Sequence, residues 1–482
     1  MEPFQITGVD GYLRDESGLI GTAAAIVFPA NLEEVQNALH SACSRKMTVT
    51  FQGARTGICG GAVPQGGLIV NFSCMNKPID FCYDPAAGTG IISVQAGLTL
   101  DQLQIALEKK QIDTSLFSET ARESWNRYRQ ESVKLWFLPN PSEKTATMGG
   151  IVCTAAGGNH TGHIAAEIQD IALVLPDGRQ LFVQHESKNI DKMPVSDAVE
   201  AICGSEGLYG AVTMLTLVLR KKPQEQYGLM AYFSAYSQIP PFMEELETAL
   251  TAIPEIKILT ASFFDSSCAT FAALAGKTLT ELERYPAFPP NTAAAVWLEL
   301  GGSEESLFSA LEAALAALEQ SGAMADQALA AAGEKDFERL SRLRHLLTEA
   351  ANLADLGRPP ILADITVPRH EWLETIRFID ATLKRAGLIY THMGNLSWGS
   401  ISLRFPGIQP SAENVLASLL ASLLKEPALF KCRCEGDHGI GRVKKSQFRL
   451  LNPQEEAAIL DLKKNIDPAG RINPGVLVDI GG

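Results

Sequence analysis

The segment GARTGICGGAVPQGG occupies residues 53–67, between the strand-like Val49 and Phe51 on one side and LIVNF at residues 68–72 on the other. A Rossmann fingerprint opens a helix, and a phosphate-binding P-loop ends in Gly-Lys-Ser or Gly-Lys-Thr; neither condition is met here. Glycines at 53, 57, 60, 61 and 66 permit positive dihedrals and close backbone approach. Successive N–H groups can then form a concave nest for an anion such as a diphosphate. A ligand-free glycine-rich hairpin loop is the competing interpretation of this segment taken alone.

Outward from the loop, strand and helix signals alternate through residue 222. Asn31 with Glu34 caps a helix expected to run to Lys46 through Leu32, Val35 and Leu39. Residues 91–96 read as a strand, and Thr99 with Gln102 opens a helix through Leu103, Ala106 and Leu107. After Lys222 and Pro223 glycine becomes rarer, and Ala/Leu/Glu segments alternate with strands such as AAAVWLEL at residues 293–300. The glycine-rich texture returns near Glu435, and Asn452 caps a helix with Pro453 in its first turn and Glu455 behind, ending at Asp467, Pro468 and Gly470. The organisation expected is an α+β domain over 1–222, a second α+β domain over 223–430, and a C-terminal segment, 431–482, that returns to the first.

Size and composition agree. At 482 residues the chain exceeds the roughly 250 to 300 residues of a single core. Hydrophobic residues at 46% against 20% charged exclude wholesale disorder. A formal charge of -14 repels nucleic acid and anionic lipid. No run reaches the roughly 18 apolar residues of a membrane span. The Ala-rich segment 307–332 comes nearest, but Glu312, Glu319 and Asp326 interrupt it, and it reads as an amphipathic helix. The acidic start MEPFQITGVDGYLRDE lacks the basic and apolar regions of a signal peptide. Nine cysteines without a CxxC suit buried thiols in a reducing compartment, so a cytoplasmic protein is expected, peripheral to a membrane only through a partner.

Several further blocks stand in order along the chain: TATMGG and AAGG within residues 139–163, LVLPDGRQL at 173–181, GSEGLYG at 204–210 and INPG at 472–475. With the first loop they resemble the FAD-linked oxidases of the vanillyl-alcohol-oxidase and p-cresol-methylhydroxylase superfamily. GDHGIGRVKK at 436–445 and ITVPRHEWL at 365–373 resemble the branch holding D-lactate dehydrogenase, the glycolate oxidase large subunit and D-2-hydroxyglutarate dehydrogenase. The resemblance implies a FAD-binding domain of two α+β subdomains and an α+β cap domain with an antiparallel sheet. It implies noncovalent FAD, its diphosphate held by the backbone N–H groups of Gly53, Ala54, Arg55, Thr56 and Gly57. Thr147, Gly149, Gly150 and Gly158 would line the second half of the site, and Glu206, Gly207 and Val212 the adenine and ribose side. Asn473 would lie near the flavin ring. The first loop holds no histidine for covalent attachment.

Oxidising a 2-hydroxy acid needs a base for the hydroxyl proton, a hydride acceptor and a cation for the carboxylate. Histidine is suited to proton transfer near neutrality, and His438, among glycines 436, 439 and 441, is the candidate base; a structural histidine bonded to backbone carbonyls is the alternative. The resemblance implies a divalent metal on His392 and Asp437, an open question because Gly399 stands where a second histidine is expected and Asp437 replaces a Glu. Asn395, Ser397, Cys432 and Cys434 are further candidate donors, the two thiols more simply core residues. Arg344, in RLSRLRHLLTEAANL, is the candidate carboxylate clamp because its planar fork takes both oxygens; Arg369 and Arg404 compete. Residues 118–136 form an insertion, interpreted as a surface helix or as a docking element for an electron-transfer partner. The function expected is FAD-dependent oxidation of a small 2-hydroxy acid such as D-lactate or glycolate, electrons passing to an acceptor protein or quinone instead of NAD, in a homo-oligomer or a subunit of an oxidase complex. The alternative is a non-catalytic, accessory FAD-binding subunit.

Overall fold

The computed structural model describes residues 8–158, 160, 163–275, 280–285, 287–353, 361–406, 409, 411–425, 433–434 and 438–480. The chain divides into two compact units, Met1–Lys222 with Glu435–Gly482, and Pro223–Cys434. The return to the first unit thus falls at residue 435, four positions beyond the boundary expected from sequence.

In the first unit the Asn31 side chain accepts from the Glu34 amide at 3.0 Å and opens the helix Leu32–Ser44. Val35, Ala38, Leu39 and Ala42 come round at helical spacing and bury one face against a three-stranded parallel sheet. Leu68–Asn71 is its central strand, between Ala25–Val27 and Val49–Gln52. A second, antiparallel sheet runs in the order Pro78–Asp84, Thr89–Gln95, Ala211–Lys221, Ile168–Val174, Gln180–Gln184. The expected Thr99–Gln102 capping box is present and starts Leu100–Lys109. The 118–136 insertion is a helix, Glu119–Gln130, followed by the strand Leu135–Trp136. Far from lying loosely on the surface, the helix buries Ala121, Trp125 and Tyr128, and Trp125 meets Phe81 edge-on at 4.9 Å. Asn452 precedes the helix Pro453–Ile466 as expected, but its amide donates to Glu455 at 2.9 Å and makes no cap bond.

The second unit is built on a seven-stranded sheet in the order Leu329–Ala331, Glu225–Phe233, Ala294–Gly302, Lys257–Asp265, Thr391–Asn395, Ser400–Phe405, Ile361–Thr366, every pairing antiparallel. Because side chains alternate along a strand, the register sorts residues onto two faces. Phe233, Val296, Leu298, Phe263, His392 and Leu403 share one face, where Phe242 and Trp372 from the helices Ile239–Leu250 and Trp372–Arg385 stack on Phe233 and Phe263. Trp297, Glu299, Ser262, Asn395, Ser402, Arg404 and Asp364 share the other, against the helix Glu334–Leu353. The Ala-rich stretch 307–332 is not one helix. Its helix, Glu304–Gln320, stops where Gly322 takes a left-handed φ of 70°, and Leu329–Ala331 joins the sheet edge.

A Cβ on Gly228 would lie 2.0 Å from the Trp297 ring, so the sheet seats that indole only over a bare backbone. Gly228→Ala is expected to lower stability by about 1–3 kcal/mol, measured as the urea unfolding midpoint; an unchanged midpoint contradicts this packing.

Candidate functional site

The first loop leaves the strand Val49–Gln52 half-buried. Among the described residues, the backbone N–H groups of Ala54, Arg55, Thr56 and Gly57 donate to no protein acceptor. Four successive unpaired amides in a half-buried loop are rare, since such groups otherwise find partners. Arg55 has a φ of 63° although it is not glycine, while its guanidinium stacks 4.3 Å over the Tyr12 ring and leaves the main chain to face outward. Of the six glycines in residues 53–67, Gly60, Gly66 and Gly67 take positive φ, 77°, 75° and 66°. Gly53 serves another purpose: a Cβ there would lie 2.1 Å from Thr147 Oγ1. At Gly57 a Cβ would meet no protein atom within 4 Å, so that side of the loop is open.

The second glycine block joins the first through Thr147, which is buried and caps Met148–Cys153 by accepting from the Gly150 amide at 3.3 Å. Gly149 is bare because a Cβ would lie 2.8 Å from that of Ala96, and Gly158, at φ 70°, because one would lie 2.2 Å from the Pro141 nitrogen. Val212 is buried in Ala211–Lys221. Of these, Thr147 is placed against the first loop, at Gly53.

Glu206 is the buried centre of the unit. Its Oε1 accepts from the amides of Ile440 and Gly441, the latter at 2.7 Å, while Oε2 is buried without a hydrogen-bond partner and faces the bare Cα of Gly61. Burial raises its carboxyl above the ordinary value, opposed by those two amides and by Lys444. The carboxylate therefore holds the turn after half-buried His438, and the amides of Arg442 and Val443 tie that turn to the glycine loop by donating to the Cys59 carbonyl at 2.8 and 3.2 Å. Asn473 spends both ends of its amide within the protein: Oδ1 accepts from the Phe51 amide at 2.9 Å and Nδ2 donates to the Glu206 carbonyl at 2.7 Å. Gly207, at φ 71°, leaves room for that Nδ2, 2.8 Å from where its Cβ would be. Glu206 and Asn473 are thus connectors between the two ends of the chain, a role that the expectation of adenine and flavin-ring contacts did not contain.

In the second unit Arg344 is buried, and its Nε donates to Ser262 Oγ at 3.3 Å. Burial lowers its pKa to about 10, against the pull of Glu299. Arg404 and Asp364 form a buried pair at 3.2 Å on the same sheet face, with Asn395 bonded to Thr260 Oγ1 at 2.9 Å between them and the helix-borne arginine. Ser262, Glu299 and Asp364 were missed from sequence; polar residues inside otherwise apolar strands were their signal. His392 is on the opposite face, fully buried, stacked on Phe263 at 5.5 Å with its Nε2 3.1 Å from Tyr236 OH and 3.5 Å from Asp380. The structure therefore does not bring His392 and Arg344 together. Position 399 admits only glycine, because φ is 71° and a Cβ would lie 2.0 Å from the Val367 carbonyl. Asp437 and Cys432 lie outside the described residues, and among the described residues no three His, Cys, Asp or Glu side chains are gathered to hold a metal ion. Arg369 is a half-exposed partner of Glu247.

A glycine-loop unit completed by a returning C-terminal segment, with an antiparallel-sheet unit inserted between, is the organisation of a two-domain flavoprotein. The FAD binding domain model matches residues 23–124, and the model for the FAD linked oxidases, C-terminal domain, matches 238–477. The chain belongs to the FAD-linked oxidases. It is 25% identical to a D-lactate dehydrogenase of Archaeoglobus fulgidus over 97% of this chain and 96% of the relative. It is 24% identical to the glycolate oxidase subunit GlcD of Bacillus subtilis over 94% and 88%, and 25% identical to the mitochondrial D-2-hydroxyglutarate dehydrogenase of Rattus norvegicus over 94% and 78%. Its fold matches that of p-cresol methylhydroxylase with substrate bound, at a TM-score of 0.68 and 14% identity over 97% of this chain and 92% of that one. Among the described residues no helix is long and apolar enough to cross a membrane.

The loop fits the cofactor: unpaired amides face an open side that a diphosphate can occupy. Gly57→Val is expected to leave the melting point of flavin-free protein unchanged and to lower the FAD-to-protein ratio after purification; full flavin content contradicts the seat. The Glu206 carboxyl, raised in the folded chain, contributes stability fully below its ordinary value of 4.5, and that contribution is lost as pH rises through the folded value. Glu206→Gln keeps an acceptor oxygen and does not titrate. Its melting point relative to the parent is expected to improve as pH rises from 4.5 through the folded value and to level off beyond it, and a pH-independent difference contradicts the assignment.

Proposed function

We propose that the chain oxidises a small 2-hydroxy acid of the D-lactate or glycolate type to the 2-oxo acid and passes the electrons to an acceptor protein or quinone, not to NAD. Relatives named for hydroxy-acid oxidation along nearly the whole chain support the reaction type. The observation that carries the substrate class is Arg344: a buried guanidinium, still protonated at neutral pH with a pKa of about 10, on a polar sheet face. In a low-dielectric setting such a cation favours a carboxylate that its fork can take by two hydrogen bonds.

Bound FAD supplies the acceptor for the hydride leaving the α-carbon. His438 takes the hydroxyl proton at an imidazole nitrogen, so that the carbonyl forms as the hydride departs. The Glu206 clamp fixes the turn that carries His438, which lowers the ordering needed when substrate binds. Arg344 pairs with the carboxylate and sets the orientation of the α-carbon. No step is assigned to a metal.

Anaerobic addition of D- and L-2-hydroxy acids is expected to bleach the flavin with one of them. His438→Ala should abolish bleaching while FAD stays bound, and Arg344→Lys should raise KM roughly tenfold or more because the bidentate contact is lost. Parent protein that retains FAD yet is bleached by no acid sinks the dehydrogenase assignment and supports the accessory subunit, which the glycine-only position 399 favours.

A further inference from the structure

The insertion that the flavin chemistry leaves unexplained forms one wall of a cavity of about 280 Å³ in the first unit. Lys110, Gln111 and Thr114 line one side, from the turn after Leu100–Lys109, and Arg122, Asn126 and Arg129 line the other, from Glu119–Gln130. Three of the lining residues are cations and none is acidic, in a chain whose net charge is -14. We propose that this cavity binds a small molecule carrying at least two anionic groups, a di- or tricarboxylate or a diphosphate, at a site separate from the flavin seat.

The helix that bears the arginines is anchored firmly enough to present a fixed wall. Trp125 and Tyr128 are buried under it, Tyr128 OH donates to the Leu107 carbonyl at 3.2 Å, and the Leu135 amide donates back to that hydroxyl at 2.9 Å. Lys110 binds the two walls together: its ammonium donates to the carbonyls of Tyr128 and Glu131 at 3.1 and 2.6 Å and lies 4.4 Å from the Tyr128 ring centroid. Those acceptors are neutral, and the nearby Glu131 carboxylate balances only part of its charge. Arg122 and Arg129 are exposed and, among the described residues, pair with no carboxylate. Nearby acids are occupied elsewhere: Asp113 accepts from the Ser115 amide at 2.8 Å and lies 3.7 Å from Lys77, and Glu108 accepts from Lys134 and Lys222.

The placement of Arg122 argues against simple surface charge. It lies near the helix N-terminus, where the macrodipole disfavours a cation, whereas Arg129 in the last turn is favoured. Arg122, Asn126 and Arg129 stand at i, i+4 and i+7 and so project from one side of the helix, the two guanidinium-bearing positions about 10 Å apart along its axis. That separation suits a ligand with charges at two ends. The cavity is close to the roughly 300 Å³ at which small-molecule sites begin.

The test uses FAD-loaded protein, so that the flavin seat is already filled, at fixed ionic strength. Inorganic pyrophosphate and citrate are titrated in separate arms and followed by calorimetry and by tryptophan fluorescence, for which Trp125 in the cavity wall is the reporter. Saturable binding of at least one of them is expected, weakened roughly tenfold or more in R122Q/R129Q, with flavin content and melting point unchanged; the preferred probe separates phosphate from carboxylate chemistry. Equal binding by parent and double variant, or a response no greater than that to sodium chloride, overturns the site. Binding of poly-glutamate alone, with neither small probe, also overturns it and makes the insertion a docking face for an acidic protein.

Discussion

Four peptide amides at residues 54–57, without partners among the described residues, are the constraint around which the first unit is organised. A buried N–H left unpaired is unfavourable by about 1–3 kcal/mol, and these half-buried groups bear part of that penalty. The fold maintains several side by side only because neighbouring contacts hold the loop open: Thr147 against bare Gly53, the Arg55 guanidinium drawn aside onto Tyr12, and strands on either side. An anion with several acceptor oxygens answers all of them at once. We propose FAD, the cofactor of the family to which the chain belongs, as the source of the diphosphate that this loop receives.

The same unit also depends on its two distant ends being tied together. Asn473 joins the strand at Phe51 to the carbonyl of Glu206, and the Glu206 carboxylate holds the amides beyond His438. Changes at residues 206 or 473 would thus be felt at the candidate base without touching it. In the second unit the alternation of the sheet separates two tasks. One face is mainly apolar and encloses His392 with Tyr236, Asp265 and Asp380, while the other gathers Arg344, Ser262, Glu299 and the Asp364–Arg404 pair. A buried ion pair such as the latter adds little net stability and serves chiefly to fix orientation on that polar face.

Much of this was legible in the residues. The Asn31 and Thr99 caps announced their helices because capping is local chemistry, and the ordered glycine blocks announced the flavoprotein through their resemblance to a known family. What those glycines approach was not legible. Gly53, Gly149 and Gly158 turn out to face protein, at Thr147, Ala96 and Pro141, since pattern alone does not say which neighbour fills the missing side chain. The resemblance implied a metal on His392; its strand parity, visible only once the register with Phe263 is known, sets it on the face opposite Arg344. The Ala-rich stretch misled for a related reason: the left-handed Gly322 ends a helix whose composition would have carried it further.

The central claim concerns amides, and amides can be watched directly. Hydrogen–deuterium exchange of the peptide spanning residues 53–57 should be compared between flavin-free and FAD-loaded protein. The account expects strong slowing of exchange at residues 54–57 on loading, because each N–H gains a phosphate oxygen. Fast exchange that persists in fully loaded protein would contradict it, placing the diphosphate somewhere other than the loop.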